Sequence, residues 1–206
     1  RLREFLIAAS RQSRSEMRSS MKIGILAVQG AFAEHEQMLE QLGAEYIELR
    51  KGEDVRQSYD GLILPGGEST VQGKLMRELD MFDTIQSQIK NGMPVLATCA
   101  GAILLAQQLS NDAATHLATL PAVVRRNAYG RQLGSFSVDE QIEGIGTFPM
   151  RFIRAPYIEK VLDDTKVLAK VNGNIVMVEN KNQLAMSFHP ELTSDTRIHE
   201  MFLKKI

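Results

Sequence analysis

One cysteine, no tryptophan and four histidines are all that 206 residues offer of the rarer side chains, and aromatics make up only 6%. A single cysteine excludes a disulfide within the chain, and no C-x-x-C or H-E-x-x-H spacing exists to hold a metal. A reducing, cytoplasmic setting fits that usage. Neither sign of charge is in excess: 24 Lys and Arg against 25 Asp and Glu leave a net −1. Nucleic-acid-binding domains ordinarily carry a basic surplus, so no nucleic-acid partner is expected. No apolar run approaches the length of a membrane-spanning helix, so no membrane partner is expected either. What remains, 44% hydrophobic and 24% charged residues, is the composition of a globular chain of about one domain.

Residues 1–20 hold five Arg, five Ser and two Glu, hence +3, which leaves −4 for residues 21–206. The apolar run at 5–9 is too short for a secretory segment, and Met21-Lys22-Ile23 reads as a natural start. We therefore expect an N-terminal extension over 1–20 and one domain over 21–206.

Within that domain, short β-rich runs alternate with amphipathic stretches. Strands are expected at 22–28, 46–49, 61–64 and 94–98. Helices are expected at 33–42, at 70–91 in two pieces, and at 100–109. Such alternation implies right-handed βαβ units and a mostly parallel central sheet flanked by helices. Between 123 and 188 the runs become short, β-branched and broken by Gly and Asn, with Asn172-Gly173-Asn174 a hairpin turn. A last helix over 193–206 would be capped by Thr193 or Ser194. The fold class is α/β with a small antiparallel appendage.

Ala97-Thr98-Cys99-Ala100-Gly101 stands where a buried strand meets a helix. Small residues two before and two after a central nucleophile suit a tight strand-to-helix elbow. That geometry would set the sulfur above the carboxyl edge of the sheet, beside a helix N-terminus that favours thiolate and offers N–H groups to an oxyanion. An inert buried cysteine stays open on this feature alone. A nucleophilic thiol needs a base and the base an orienter. His35, His116 and His199 lie in ordinary helix or loop contexts. His189 ends an apolar run and precedes Pro190-Glu191. Proline disfavours helix at the residue before it, and in extended chain residues two apart point the same way. Glu191 could then reach His189.

Leu64-Pro65-Gly66-Gly67-Glu68-Ser69-Thr70 is a second strand–turn–helix junction, where glycines let a substrate approach the main chain. A phosphate loop is excluded, because Glu68 stands where that motif needs Gly and Leu75 where it needs Ser or Thr.

Five segments, taken in order, carry a resemblance: Gly66-Gly67-Glu68-Ser69-Thr70, Thr98-Cys99-Ala100-Gly101, Arg125-Arg126-Asn127-Ala128-Tyr129-Gly130-Arg131-Gln132, Phe152-Ile153-Arg154-Ala155-Pro156 and Ser187-Phe188-His189-Pro190-Glu191-Leu192-Thr193. The chain resembles the glutaminase subunit of pyridoxal 5′-phosphate synthase, a Cys-His-Glu glutamine amidotransferase with a flavodoxin-like class I fold. The resemblance implies Cys99 as nucleophile, His189 as base then acid, and Glu191 as orienter. It implies glutamine contacts at Gly67, Glu68, Ser69, Arg126, Ile153 and Arg154, with Gly66 and Ala100 at the oxyanion. The substrate would be L-glutamine, hydrolysed to glutamate and ammonia with no metal or organic cofactor. The partner would be a synthase subunit that condenses the ammonia with a pentose phosphate and a triose phosphate. Gln29-Gly30 is the candidate element for sensing that partner. The alternatives are the glutaminase of another amidotransferase, such as imidazole glycerol phosphate synthase, or a non-catalytic relative.

Overall fold

The computed structural model describes residues 2–127 and 134–206. Helix α1 (Leu2–Ser19) lies ahead of the sheet and buries none of its residues; Arg18 at its end pairs with Glu200 at 3.1 Å. Strands β1 (Lys22–Leu26), β2 (Glu45–Leu49), β3 (Gly61–Leu64) and β4 (Val95–Thr98) follow, joined through α2 (Phe32–Gln41), α3 (Gly52–Val55), α4 (Ser69–Glu78) and α5 (Phe82–Lys90). Next come α6 (Ala100–Leu105), β5 (Ala106–Leu109), β6 (Leu120–Arg125), β7 (Ser135–Ile142), β8 (Gly146–Ile153), β9 (Tyr157–Val161), β10 (Lys166–Val171), β11 (Asn174–Asn180), β12 (Gln183–Met186) and α7 (Arg197–Leu203).

The main sheet runs β2-β1-β3-β4-β12-β11-β9-β6-β5, with β10 on β11. Its first five strands are parallel. From β12 onward the pairing turns antiparallel through β11, β9 and β6, and β5 is parallel to β6. Most of the expected antiparallel part is thus continuous with the central sheet. Among the described residues, only β7 and β8 form a separate hairpin.

Alternation along the inner strands sorts side chains to two faces. Leu62 and Leu64 of β3 and Val95 and Ala97 of β4 pack with Ile85, Ile89 and Leu104 of the α5–α6 layer. Ile63 and Leu96 point the other way, against Leu39 of α2 and Ile198 and Phe202 of α7. Full burial of each such side chain contributes roughly 1.5–3 kcal/mol. Apart from Thr98 these two strands are apolar, because helices cover both faces.

Two expectations need correcting. Helix α6 stops at Leu105, and 106–109 forms a strand. The carbonyls of Leu104 and Leu105, which a longer helix would give to its own next turn, accept instead from the N–H groups of Leu117 and Thr119 at 2.9 Å each. Helix α7 begins at Arg197 with Thr196 at its N-cap position, so neither Thr193 nor Ser194 caps it. Thr193 is held earlier, its hydroxyl donating to the Pro190 carbonyl at 2.8 Å. The Asn172-Gly173 turn is as expected: both residues have positive φ, 50° and 80°, between β10 and β11.

Gly101 shows how tightly α6 sits on β3. A Cβ there would lie 2.1 Å from the Leu64 carbonyl oxygen. Gly101→Ala would gain about 1 kcal/mol of helix propensity, but a strand carbonyl cannot step aside. We expect a net loss of roughly 2–3 kcal/mol, measured by denaturant unfolding.

Candidate active site

Parallel pairing brings four strand ends to one edge of the sheet. Leu64 is level with Ala97 across β3 and β4, and Met186 is level with Thr98 across β12 and β4. The segment after β1 carries Gln29-Gly30, that after β3 carries Gly66–Ser69, that after β4 is Cys99, and that after β12 leads to His189. This edge, where β1 and β3 diverge to their connections, is where open α/β sheets bind ligands.

Cys99 is buried and sits at the elbow with φ 50° and ψ −106°. A non-glycine residue held there costs about 1–3 kcal/mol, strain typical of functional turns. Its N–H donates to the Met186 carbonyl at 2.8 Å, which ties the elbow to β12. Its sulfur lies 3.9 Å from the Ile153 carbonyl oxygen. Ala100 opens α6, so its N–H has no carbonyl one turn back to bond with.

His189 is fixed from both sides. Phe188 packs against Phe148 and Phe152 of β8, and the His189 N–H donates to the Arg151 carbonyl at 2.8 Å. The chain does not stay extended past His189: Pro190–Leu192 forms a single 3-10 turn. Proline suits the first position of such a turn. The turn still carries Glu191 back to the ring, with Oε1 2.5 Å from Nδ1 of His189. Burial alone would push the His189 imidazole down. Its hydrogen bonds to the Cys99 side chain and the Glu191 carboxylate outweigh that and raise it to about 10. At neutral pH the ring beside the sulfur is therefore an imidazolium.

Gly66 backs onto the same ring, since a Cβ there would lie 2.3 Å from His189 Cε1. Its carbonyl accepts from the Ala31 N–H at 2.9 Å. Gly67 and Glu68 are exposed and Ser69 is buried. The Gln29 side chain touches this loop, its Oε1 accepting from the Glu68 N–H at 2.8 Å. Arg126 reaches the start of α4, with Nη2 donating to the Thr70 hydroxyl at 3.1 Å and Nη1 to Asp112 at 2.9 Å. Ile153 ends β8 beside Cys99, and Arg154 follows it with φ 44°. The rest of that arginine-rich motif, 128–132, lies outside the described residues. Among the described residues no cluster of three or more His, Cys, Asp or Glu side chains is disposed to hold a metal ion.

Sequence reasoning passed over His35 and His199. Both are fully buried, with His35 Nδ1 2.9 Å from His199 Nε2 and His35 Nε2 3.6 Å from Glu191 Oε2. Burial, then the neighbouring His199 and His189, holds His35 well below the usual imidazole value. Burial pushes His199 down to about 4. Unfolded histidines titrate near 6.5, so between that value and about 4 the unfolded chain binds protons that His199 refuses in the folded one. Stability contributed by His199 is present above about 6.5 and lost as pH falls towards 4, by about 3 kcal/mol. His189 acts with the opposite sign, contributing stability below about 6.5 that is lost as pH rises through about 10. We expect thermal melts to show Tm falling on both sides of neutrality, and the acid limb to shallow in a folded His199→Leu variant.

A thiol at a strained elbow, facing an imidazolium held by a buried carboxylate at the carboxyl edge of an α/β sheet, has the residue types and geometry of the cysteine-dependent acyl-transfer class. The comparisons with known proteins narrow that class. The sequence profile of the SNO glutamine amidotransferase family matches residues 25–206. A Desulfitobacterium hafniense protein named pyridoxal 5′-phosphate synthase subunit PdxT is 63% identical over 186 residues, spanning 90% of this chain and 94% of its own length. A Streptococcus pneumoniae protein of the same name is 53% identical, spanning 89% of this chain and 96% of its own. A solved structure described as a glutamine amidotransferase superposes with a TM-score of 0.84 at 43% identity, covering 89% of this chain and 97% of that one. The chain belongs to the SNO glutamine amidotransferase family.

Proposed function

We propose that this chain is the glutaminase subunit of a pyridoxal 5′-phosphate synthase, hydrolysing L-glutamine and passing ammonia to a synthase partner. The observation that carries the reading is the contact of His189 with Glu191 beside the Cys99 sulfur. The names of the relatives support the pathway.

The Cys99 thiolate attacks the side-chain carboxamide carbon of glutamine. Backbone N–H groups at Ala100 and near Gly66 hold the tetrahedral oxyanion, each typically worth about 3–4 kcal/mol in such sites. His189, already protonated, gives its proton to the departing nitrogen as the C–N bond breaks, leaving a glutamyl thioester and ammonia. The imidazole then takes a proton from water, whose oxygen attacks the thioester; as the C–S bond breaks, the sulfur leaves as thiolate beside the imidazolium, and the new carboxylic acid gives its proton to solvent as glutamate departs. Charge selects the free amino acid. Arg126 and Arg154 suit its α-carboxylate, Glu68 suits its α-ammonium, and Gly67, Ser69 and Ile153 line the way with main chain. Residues 1–20 stand outside the glutaminase domain in this reading, supported by the absence of buried residues in α1.

Partner control fits the loop after β1. Gln29 holds Glu68 through its side chain and accepts from Gln72 through its carbonyl at 3.1 Å, so a partner that moves Gln29-Gly30 moves the substrate loop. Glutamine hydrolysis is expected to rise at least about tenfold when the synthase is supplied, within the usual range of coupling between sites. Equal rates with and without it would discard the control. Pyridoxal phosphate formed with its own synthase, and no product with an imidazole glycerol phosphate cyclase, separates this reading from the other amidotransferase.

A further inference from the structure

The carboxylate that orients His189 has two oxygens, and only one is used. Oε1 meets His189; Oε2 is buried with no hydrogen-bond partner. Leaving a buried carboxylate oxygen without a donor is costly, and the group facing it is His35 Nε2 at 3.6 Å. We propose that His35 is a positioning residue for the glutaminase reaction: its Nε2–H points at the outer oxygen of Glu191 and fixes the carboxylate that holds His189.

The proton's place on the ring follows from His35's neighbours. Its Nδ1 lies 2.9 Å from His199 Nε2, and its Nε2 lies 3.3 Å from the Thr98 hydroxyl as well as 3.6 Å from Glu191. Were the proton on Nδ1, the Nε2 lone pair would face a carboxylate, and Oε2 would stay unpaired. With the proton on Nε2, it lies between two acceptors, of which the carboxylate is the stronger. Nδ1 then accepts from the His199 Nε2–H. His199 Nδ1, buried without a partner, is left as a bare acceptor, a lighter cost than an orphaned N–H. One chain results, running from His199 through His35 and Glu191 to His189 and Cys99. At 3.6 Å the His35 to Glu191 contact is longer than a formed hydrogen bond. Such contacts commonly tighten only when substrate is bound.

The groups that face His35 come from three other elements: Glu191 from the turn after His189, His199 from α7, and Thr98 from the end of β4. Burial keeps His35 neutral, so it acts as a fixed dipole and neither gives nor takes the reaction's proton.

This inference rests on the Cys99–His189–Glu191 reading, and its test is kept separate. Nitrogen-15 NMR of histidine-labelled full chain has only four histidines to assign. It should show His35 neutral and protonated at Nε2 from pH 6 to 9; protonation at Nδ1 would overturn the proposal. Kinetics supply the second arm, on the full chain with the synthase present. His35→Phe should lower kcat about 10-fold with KM nearly unchanged, a size typical of lost supporting contacts. The Glu191 charge would then be less shared, so the alkaline limb of kcat/KM, which reports loss of the His189 proton, should move to higher pH. His35→Gln restores a donor near Nε2 and should recover most of kcat. Unchanged kcat and pH limb in a folded His35→Phe, or a His35→Gln as impaired as His35→Phe, would overturn the role. Should Cys99→Ala remain active, the underlying triad reading fails instead; an inactive Cys99→Ala beside a normal His35→Phe sinks only the positioning role.

Discussion

Cys99→Ala is expected to cut glutamine hydrolysis by at least about 10⁴-fold, while leaving the folded protein nearly as stable as before. The size follows from the proposed chemistry: without the sulfur there is no thioester, and only binding and oxyanion contacts remain. The small change in stability follows from the site. Alanine keeps the same strained backbone at φ 50°, and what goes with the sulfur is a weak contact 3.9 Å from the Ile153 carbonyl and a hydrogen bond with His189, whose ring keeps its hold on Glu191. Steady-state ammonia release and a thermal melt on the same preparation check both halves. Residual turnover near that of the parent chain would remove Cys99 from the reaction.

Gly66→Ala should come next in effect, by a different route. The added methyl would overlap the His189 ring, which is buried and held at Nδ1 by Glu191. Either the ring turns or the loop retreats, and a displacement of about 1 Å at reacting groups can cost 10²-fold in rate. We expect kcat to fall by about 10²-fold or more, with a stability loss below about 3 kcal/mol. Gly101→Ala provides the contrast. Its methyl meets a strand carbonyl instead of the His189 ring, so its main effect is on folding. If both variants lost stability alike and kept their rates, the Gly66 main chain would not be part of the site.

The elbow was legible because its requirements are local: Ala97 and Gly101 are small where a strand must turn at once into a helix, and Gly101 has no room for a methyl group. The parallel half of the sheet was legible for the same reason, in short apolar runs each followed by an amphipathic stretch. Strand β5 was not, since Ala106-Gln107-Gln108-Leu109 has no β-branched or aromatic residue. It is made a strand by its pairing with β6 and by distant N–H groups that claim the last carbonyls of α6. The His189–Glu191 contact was expected from extended chain and is formed by a 3-10 turn, so the contact was right and its geometry was not. His35 and His199 gave no signal at all. They meet across 164 residues, and nothing in the neighbourhood of either shows that both will be buried behind Glu191.

In the proposed reaction the Cys99 sulfur is the atom that takes the glutamyl group from glutamine. The most direct measurement is to treat the full chain, with and without the synthase, with a glutamine-like electrophile and locate the adduct by mass spectrometry. The expected result is a single adduct on Cys99, blocked by glutamine, formed faster with the synthase present and absent in His189→Asn. An adduct on another residue, or labelling of Cys99 that glutamine does not slow, would contradict the account.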